Sequence, residues 1–545
     1  MRFDLRHPAI LPVTSVTLAA LALAGPVQAD TVPSGTKPPT VSADPLPTWQ
    51  VNGVVWSAVT VGNTVYATGK FTKARPPGTA PGNAKEVTRN NLLAFDIRTG
   101  ALITSFNHSL NGQGLRIAAS PDGSRVYVGG EFTTVDGQTR NHIAAFNTAT
   151  GALDPAFKPS VSGKVRAIAA TNSTVYFGGN FFSVNGAKRT RLAAAAKSNG
   201  ALSATWKPVA DDDEVFALLV SPDGKRVIVG GRFQKLNGAT HVGIGAVNGT
   251  NGAIATWYSK PIPTRVGERY SYVSNLTTDG TTVYGSADGE GGKWFDGRFA
   301  ATLSTGALVW LDNCYGATYG VQVVGKALYS VGHAHDCSSL GAFPETVPQT
   351  WHRTLAETTY KTGTDKTAPG SNSNYSHPAV PTLLHWFPTV TMGSYTGQYQ
   401  AAWTVTGNSS YIALGGEFPS VNGKSQQGLV RFAVKSLAPN KVGPTPSAEV
   451  TPVLTTPAAR TVKVTWKTTW DQDNEKLTYE VLRDGGQTPV YSTSLWSAFW
   501  AARVHTVSFT DTGLTTGSSH TYRIRVTDPL GNVLTSATSS SIKVG

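Results

Sequence analysis

Short alternating runs of apolar and polar residues recur along this chain, each of strand length and each closed by a turn signal. In one copy, Val165-Arg166-Ala167-Ile168-Ala169 alternates and predicts a strand. Asn172-Ser173 turns the chain and Val175–Phe182 is a second β-rich run. Leu192–Ala196 is a third strand, of small residues, and Ala201–Trp206 a fourth, after the Asn199-Gly200 turn. Between the second and third, Asn185-Gly186 is a hairpin signal, because both central positions of a type I′ turn need positive φ. Asp136-Gly137, Asn237-Gly238 and Asn422-Gly423 occupy the same place in other copies. Pro121-Asp122-Gly123 and Pro222-Asp223-Gly224 mark the first turn.

Two strings keep step with this pattern. Val-Tyr-Val-Gly-Gly-Glu-Phe at Val126–Phe132 returns at Val175–Phe181, Val227–Phe233 and Tyr411–Phe418. Thr99-Gly100-Ala101-Leu102 returns at Thr150–Leu153, Asn199–Leu202, Asn251–Ile254 and Thr305–Leu308. The period is about 50 residues, that of a repeat architecture. Four short antiparallel strands per period predict an all-β fold, a seven-bladed β-propeller. A parallel β-helix has shorter coils and no use for repeated Asn-Gly hairpins. The seven anchors are Phe71, Phe132, Phe181, Phe233, a degraded copy near Gly285, His333 and Phe418. Glycine pairs inside a strand weaken it unless another backbone approaches closely, and crowding near a propeller axis accounts for them. The sixth copy is interrupted by a Thr/Ser/Gly/Asn-rich insertion at 358–379, a long loop of the kind that makes contacts. The last copy stops after Leu429-Val430-Arg431-Phe432 without a fourth strand. The N-terminal segment from Pro47-Thr48-Trp49 is expected to complete it and to remove the sheet edges that invite aggregation.

Pro439–Pro457 is rich in Pro, Thr and Ser and predicts a linker over 438–457. A separate all-β module follows over 458–545. Thr461–Trp466 alternates around a core-type Trp466, Leu477–Gly485 is a strand ending in an Asp-Gly turn, and Phe509–Leu514 leads into Ser519–Val526. This module resembles a fibronectin type III domain, with Trp466 at the core tryptophan of its second strand and Leu514 with Tyr522 at its tyrosine-corner region. On the Val-Tyr-x-Gly-Gly-x-Phe-x-x-Val-Asn-Gly and Thr-Gly-Ala-Leu strings, residues 47–437 resemble the secreted bacterial delta-60 repeat β-propeller proteins. The resemblance implies a propeller fold and an extracellular setting. It brings no catalytic residues.

The ends and the composition agree with that setting. Residues 1–29 carry Arg2 and Arg6, an apolar Val16–Ala24 and a small-residue Val27-Gln28-Ala29 cleavage site, the pattern of a secretory signal peptide. Residues 30–46 predict a flexible leader, and nothing later predicts a membrane span. The two cysteines, Cys314 and Cys337, predict one disulfide in an oxidising compartment. The net charge is +13, but the basic residues are scattered. This argues against nucleic acid as a partner and leaves acidic polymers open.

The candidate chemistry is sparse. No nucleophile elbow, zinc-protease helix or phosphate loop occurs, and no cofactor is expected. His333 and His335 would share a strand face, yet a zinc site needs further ligands. Asp211-Asp212-Asp213-Glu214 and Asp471–Glu475 lack calcium-loop spacing and predict solvated turns. No metal site is therefore expected. The variable residue of each Gly-Gly-x-Phe string and its relatives gives Lys70, Glu131, Asn180, Arg232, His333 and Glu417. Pointing into the central channel, they would form a ligand ring at its mouth. Paired with one another, they would be structural. Trp496, Phe499 and Trp500 form an aromatic group that either stacks on sugars, through Trp496 and Trp500, or packs inward. The expected role is non-catalytic binding or adhesion outside the cell or at its wall, with extracellular polysaccharide, cell-wall polymer or protein as partner. The alternative is a glycosidase or an accessory to polysaccharide breakdown, which would need an opposed carboxylate pair.

Overall fold

The computed structural model describes residues 37–257, 265–266, 269–289, 295–366, 378–500 and 505–545. The signal peptide expected at 1–29 and the centre of the insertion, 367–377, lie outside these residues. Regular structure is almost all β. The helices among the described residues are two single 3-10 turns, Ser338–Leu340 and Ala448–Val450.

In the copy read above, Val165–Ala170, Thr174–Gly179 and Leu192–Ala196 pair antiparallel in that order, as their alternation predicts. The expected fourth strand, Ala201–Trp206, does not form. Leu202 alone bridges back, to Ala195. The chain then leaves the sheet to bury Trp206, whose indole N–H donates to the Asn248 carbonyl of the next sheet at 3.0 Å. Burying a large aromatic ring here outcompetes extending an edge strand. The Asn-Gly turn carries its own small hairpin, Ser183–Val184 with Ala187–Lys188, and has φ of 51° at Asn185 and 78° at Gly186.

The same three-strand order recurs at Val54–Val61, Thr64–Lys70 and Leu92–Asp96, and at Gly114–Ala119, Arg125–Gly130 and Ile143–Asn147. It recurs at Val215–Val220, Arg226–Gly231 and Ile244–Asn248. The degraded copy near Gly285 forms Arg269–Thr278, Thr282–Gly289 and Arg298–Thr302, and adds a full fourth strand, Leu308–Asp312. Thr318–Val324, Ala327–Ala334 and His352–Thr358 follow, then Ala402–Gly407, Tyr411–Gly416 and Leu429–Ala433.

Each sheet's first strand lies beside the first strand of the next, and Ala402–Gly407 returns to Val54–Val61. At that seam the Ala58 amide donates to Thr404 Oγ1 at 3.2 Å, and the Thr60 and Thr406 hydroxyls are 3.0 Å apart. The first strands enclose a channel of about 280 Å³. Among the described residues no sheet closes on itself; the first strands of successive sheets pack side by side around the circuit. The last sheet takes its outer edge from the N-terminal segment, where Leu46 bridges Arg431 and Val41 bridges Val434. The flexible leader expected at 30–46 is thus part of the fold from Val41 onward, because Val41, Ala43 and Leu46 fill an apolar edge.

In the C-terminal part, Val453–Thr455, Thr461–Lys467 and Thr506–Thr512 form one sheet. Pro489–Trp496, Lys476–Arg483, Tyr522–Thr527 and Val533–Thr535 form a second. They share a core that includes Trp466, Tyr479 and Tyr522. The linker expected at 438–457 is fastened at both ends. The Lys441 and Val442 amides donate to the Asp44 carboxylate at 2.7 and 3.1 Å, and Val453–Thr455 is already an edge strand. Its Pro and Thr residues suit an edge, where fewer amides must be paired.

Candidate functional site

Every first strand of the repeat sheets carries one register shift, skipping Trp56, Leu115, Arg166, Phe216, Ser274, Tyr319 or Trp403. A bulge adds a residue that the partner strand cannot match and re-aims its side chain. All of these residues line one cavity of about 560 Å³ at the mouth of the channel. Its volume falls within the range of small-molecule sites.

The lining is aromatic and basic. Trp56 and Trp403 lie with ring centroids 5.0 Å apart, and Tyr319 is 4.3 Å from Trp403. The indole N–H groups are tied down: Trp56 donates to Gln113 Oε1 at 2.9 Å and Trp403 to Glu417 Oε1 at 3.3 Å. On the other side Phe216 and Tyr272 are 5.2 Å apart. The Arg166 guanidinium lies 5.1 Å from the Phe216 ring, and Arg232 lies 4.4 Å from the Tyr272 ring, both within cation–π range.

The lining carboxylates are engaged. Glu214 pairs with Lys164 at 2.8 Å and Arg166 at 3.1 Å. Burial opposes its ionisation, but these two cations hold its carboxyl below the usual range. Asp213 accepts the Glu214 amide at 2.6 Å. Arg116, where the mouth meets the channel, is different. Burial pushes its guanidinium down to about 10, and no hydrogen-bond or ion-pair partner faces it among the described residues.

Of the six residues expected at the channel mouth, only Arg232 lines the cavity. The others lie at the end of the second strand of their sheets or just after it, one layer back, and most hold the lining in place. Gln113 Nε2 donates to Glu131 at 2.9 Å, and Asn180 donates to Glu214 at 3.1 Å. Glu417 accepts from Trp403 and from the Thr396 amide and hydroxyl, each of the latter at 2.7 Å. His333 Nδ1 lies 3.1 Å from both the Tyr319 hydroxyl and Gln400 Oε1, and burial pushes it down to about 4. Lys70 ends its strand exposed to solvent. The bulge residue of every first strand lines the cavity, and each lies near the start of its strand, as in Val55-Trp56, Val215-Phe216 and Ala402-Trp403.

The remaining candidates are spent elsewhere. His335 pairs with Glu345 and His333 with Tyr319, so the two imidazoles do not converge. Asp211 accepts the Gly238 amide at 2.9 Å and Asp212 the Gln234 amide at 2.6 Å, each tying this loop to the hairpin after Arg226–Gly231. Asp471 accepts the Asp473 and Asn474 amides, and Asp473 accepts the Ala43 amide at 2.5 Å, so this loop docks on the N-terminal segment. The Cys314–Cys337 disulfide forms as expected. Trp500 and Phe499 pack beside it, against Phe343 and Phe387. Trp496 does not join them; it stands on its strand with the Lys476 ammonium 5.9 Å from its ring. A strand residue and two loop residues cannot share one face here, because the chain turns at Ser497, whose amide donates to the Glu475 carbonyl.

A family model described as a domain of unknown function (DUF5122) beta-propeller matches residues 121–157. That stretch holds the second and third strands of one repeat sheet. Among solved structures, a chain from the "Crystal Structure of Mitotic Checkpoint Complex" is similar, with a TM-score of 0.42 and 9% sequence identity over 74% of this chain and 98% of that one. No curated protein matches. The family match and the succession of sheets around a channel make the class that of an all-β, β-propeller protein. No helix among the described residues is long and apolar enough to cross a membrane.

Proposed function

We propose that this chain is a secreted, non-catalytic binding protein of the delta-60 repeat kind. Its repeat region is a seven-bladed propeller closed by the N-terminal segment, and its C-terminal module is a fibronectin type III-like sandwich that begins by Val450. The propeller presents its channel mouth to an extracellular or cell-wall ligand, and carbohydrate is the class that suits it. One observation carries this reading: the cavity offers aromatic side chains, while its carboxylates are already engaged by the protein's own groups. Rings of Trp and Tyr with their polar edges tied down are suited to stacking on sugar rings.

A glycosidase would need two opposed carboxyl groups with room for a sugar between them. The lining supplies Asp213 and Glu214, neighbours in sequence and both engaged, which favours the binder.

The test is retention of the purified protein on insoluble polysaccharides and cell walls at low and high salt, with Trp403→Ala alongside. Retention that survives high salt and falls in W403A supports the reading. Retention that vanishes in salt and ignores W403A would assign the effect to the +13 charge and sink it.

A further inference from the structure

Four cationic side chains, Arg116, Lys164, Arg166 and Arg232, line the mouth, against two carboxylates, Asp213 and Glu214. Three of the cations are occupied: Lys164 and Arg166 on Glu214, and Arg232 over Tyr272. Arg116 is not. A half-buried guanidinium with no counter-charge among the described residues is costly to the free protein. It is also a ready partner for an incoming anion, since a planar fork of donors fits a carboxylate or sulfate group. The Trp56–Trp403 pair borders the same cavity. An anion alone makes no use of those rings, and a neutral sugar leaves the charge of Arg116 unanswered.

We propose that the channel mouth binds an acidic sugar, with the sugar ring against Trp56 and Trp403 and its carboxylate or sulfate group at Arg116. This rests on the carbohydrate reading above and narrows it. The position on the other first strands that matches Arg116 holds Ser57, Ala167, Ala217, Asn275, Gly320 or Thr404, so the charge is a feature of one sheet. The site therefore has a direction: the acidic group points to the Gly114–Ala119 strand.

The test is calorimetric titration of the full-length protein with digalacturonic acid, a sulfated galactose disaccharide and neutral galactobiose. Arg116→Gln, Arg116→Lys and Trp403→Ala are compared, and melting curves check that each variant is folded. The acidic probes should bind at least about tenfold more tightly than the neutral one, the scale of one charge-assisted hydrogen-bonded pair. R116Q should erase that preference, R116K should keep part of it, and W403A should weaken all three probes. Whichever acidic probe binds better identifies the anionic group. Should R116Q not fold, displacement of the acidic probe from the unaltered protein by inorganic sulfate replaces it, and failure to displace overturns the proposal. Equal binding of acidic and neutral probes that depends on Trp403 would overturn the anion pocket and leave the carbohydrate reading standing. Binding of inorganic sulfate alone, with no sugar bound and no effect of W403A, would overturn both.

Discussion

Gly415 lies against Val55, so closely that a methyl group on it would meet Val55 Cγ1 at 2.6 Å. The contact joins the last repeat sheet to the first. The same relation holds between Gly129 and Val165 at 2.6 Å, and between Gly178 and Val215 and Gly230 and Val273 at 2.7 Å. The first glycine of each of these pairs is therefore kept bare for the valine that precedes the bulge of the next sheet. The second faces its own first strand, as Gly416 does the Ala401 carbonyl at 2.0 Å. The crowding that requires the glycine pairs lies between and within sheets, not at the axis. Gly415→Ala is expected to cost about 1–3 kcal/mol by overpacking the seam. Gly363→Ala, where the nearest atom is 3.8 Å away, is the control and should fall within about 0.5 kcal/mol of the parent. Urea unfolding measures both, and equal midpoints would contradict the packing argument.

The N-terminal segment closes the last sheet. The Leu46 amide donates to the Arg431 carbonyl at 2.9 Å, the Ser42 amide donates to Ala433 at 2.8 Å, and Lys37 pairs with Glu475 at 2.8 Å. Removing residues up to Leu46 exposes the Leu429–Ala433 edge and its apolar neighbours. The truncated protein is expected to melt lower and to self-associate, since an unpaired strand edge is a template for another chain. Light scattering alongside a melting curve reads both effects; a monomer of unchanged stability would show that the segment is dispensable.

The turns were legible because their chemistry is local. Asp136-Gly137, Asn237-Gly238 and Asn422-Gly423 each carry the two positive φ angles that the residue pair predicts. The first three strands of the copy from Val165 to Ala196 and the disulfide were legible for similar reasons. Of the expected ligand ring only Arg232 lines the cavity, and the rest stand behind it. A bulge interrupts the alternation of period two, so Trp56, Phe216 and Trp403 look like ordinary strand residues until the register shift is seen. The variable Gly-Gly-x-Phe residue stands out in the sequence because recurring neighbours frame it in most copies, yet most of these side chains only position the ones in front. The fourth strand failed because the burial of Trp206 is decided by the next sheet, which no local pattern encodes.

Cys314 and Cys337 are 23 residues apart in sequence and sit in one apolar cluster with Phe343 and Phe387. Closing a loop of that size stabilises by about 3 kcal/mol on chain entropy. Replacing both cysteines by alanine should lower stability by about that amount. It should also loosen the packing of Phe499 and Trp500, which cover the same cluster. Limited proteolysis at 438–457 with and without reductant checks the second part; indifference to reductant would uncouple the disulfide from the junction.

Two groups at the junction of repeats and sandwich titrate in opposite senses. His352 lies between Phe343 at 4.2 Å and Phe499 at 4.5 Å, and burial pushes its imidazole down to about 4. Its unfolded value is about 6.5, so the folded state binds fewer protons between the two. The stability it contributes is present above pH 6.5 and drains away as pH falls toward 4. Asp471 behaves oppositely: burial first, then the charges of Asp473 and Asp528, push its carboxyl up to about 7. The folded state there holds an extra proton between about pH 4 and 7, so stability falls as pH rises through that window and levels off above it. His352→Phe should therefore melt higher than the parent at pH 5 and differ little at pH 8. Asp471→Asn, whose amide oxygen can still accept the Asp473 and Asn474 amides, should melt higher at pH 8 and differ little at pH 4. Melting curves at these pH values decide it. If both variants shift the curve equally at every pH, the effect is packing rather than proton linkage, and the burial of these two groups does not set how firmly the sandwich is held.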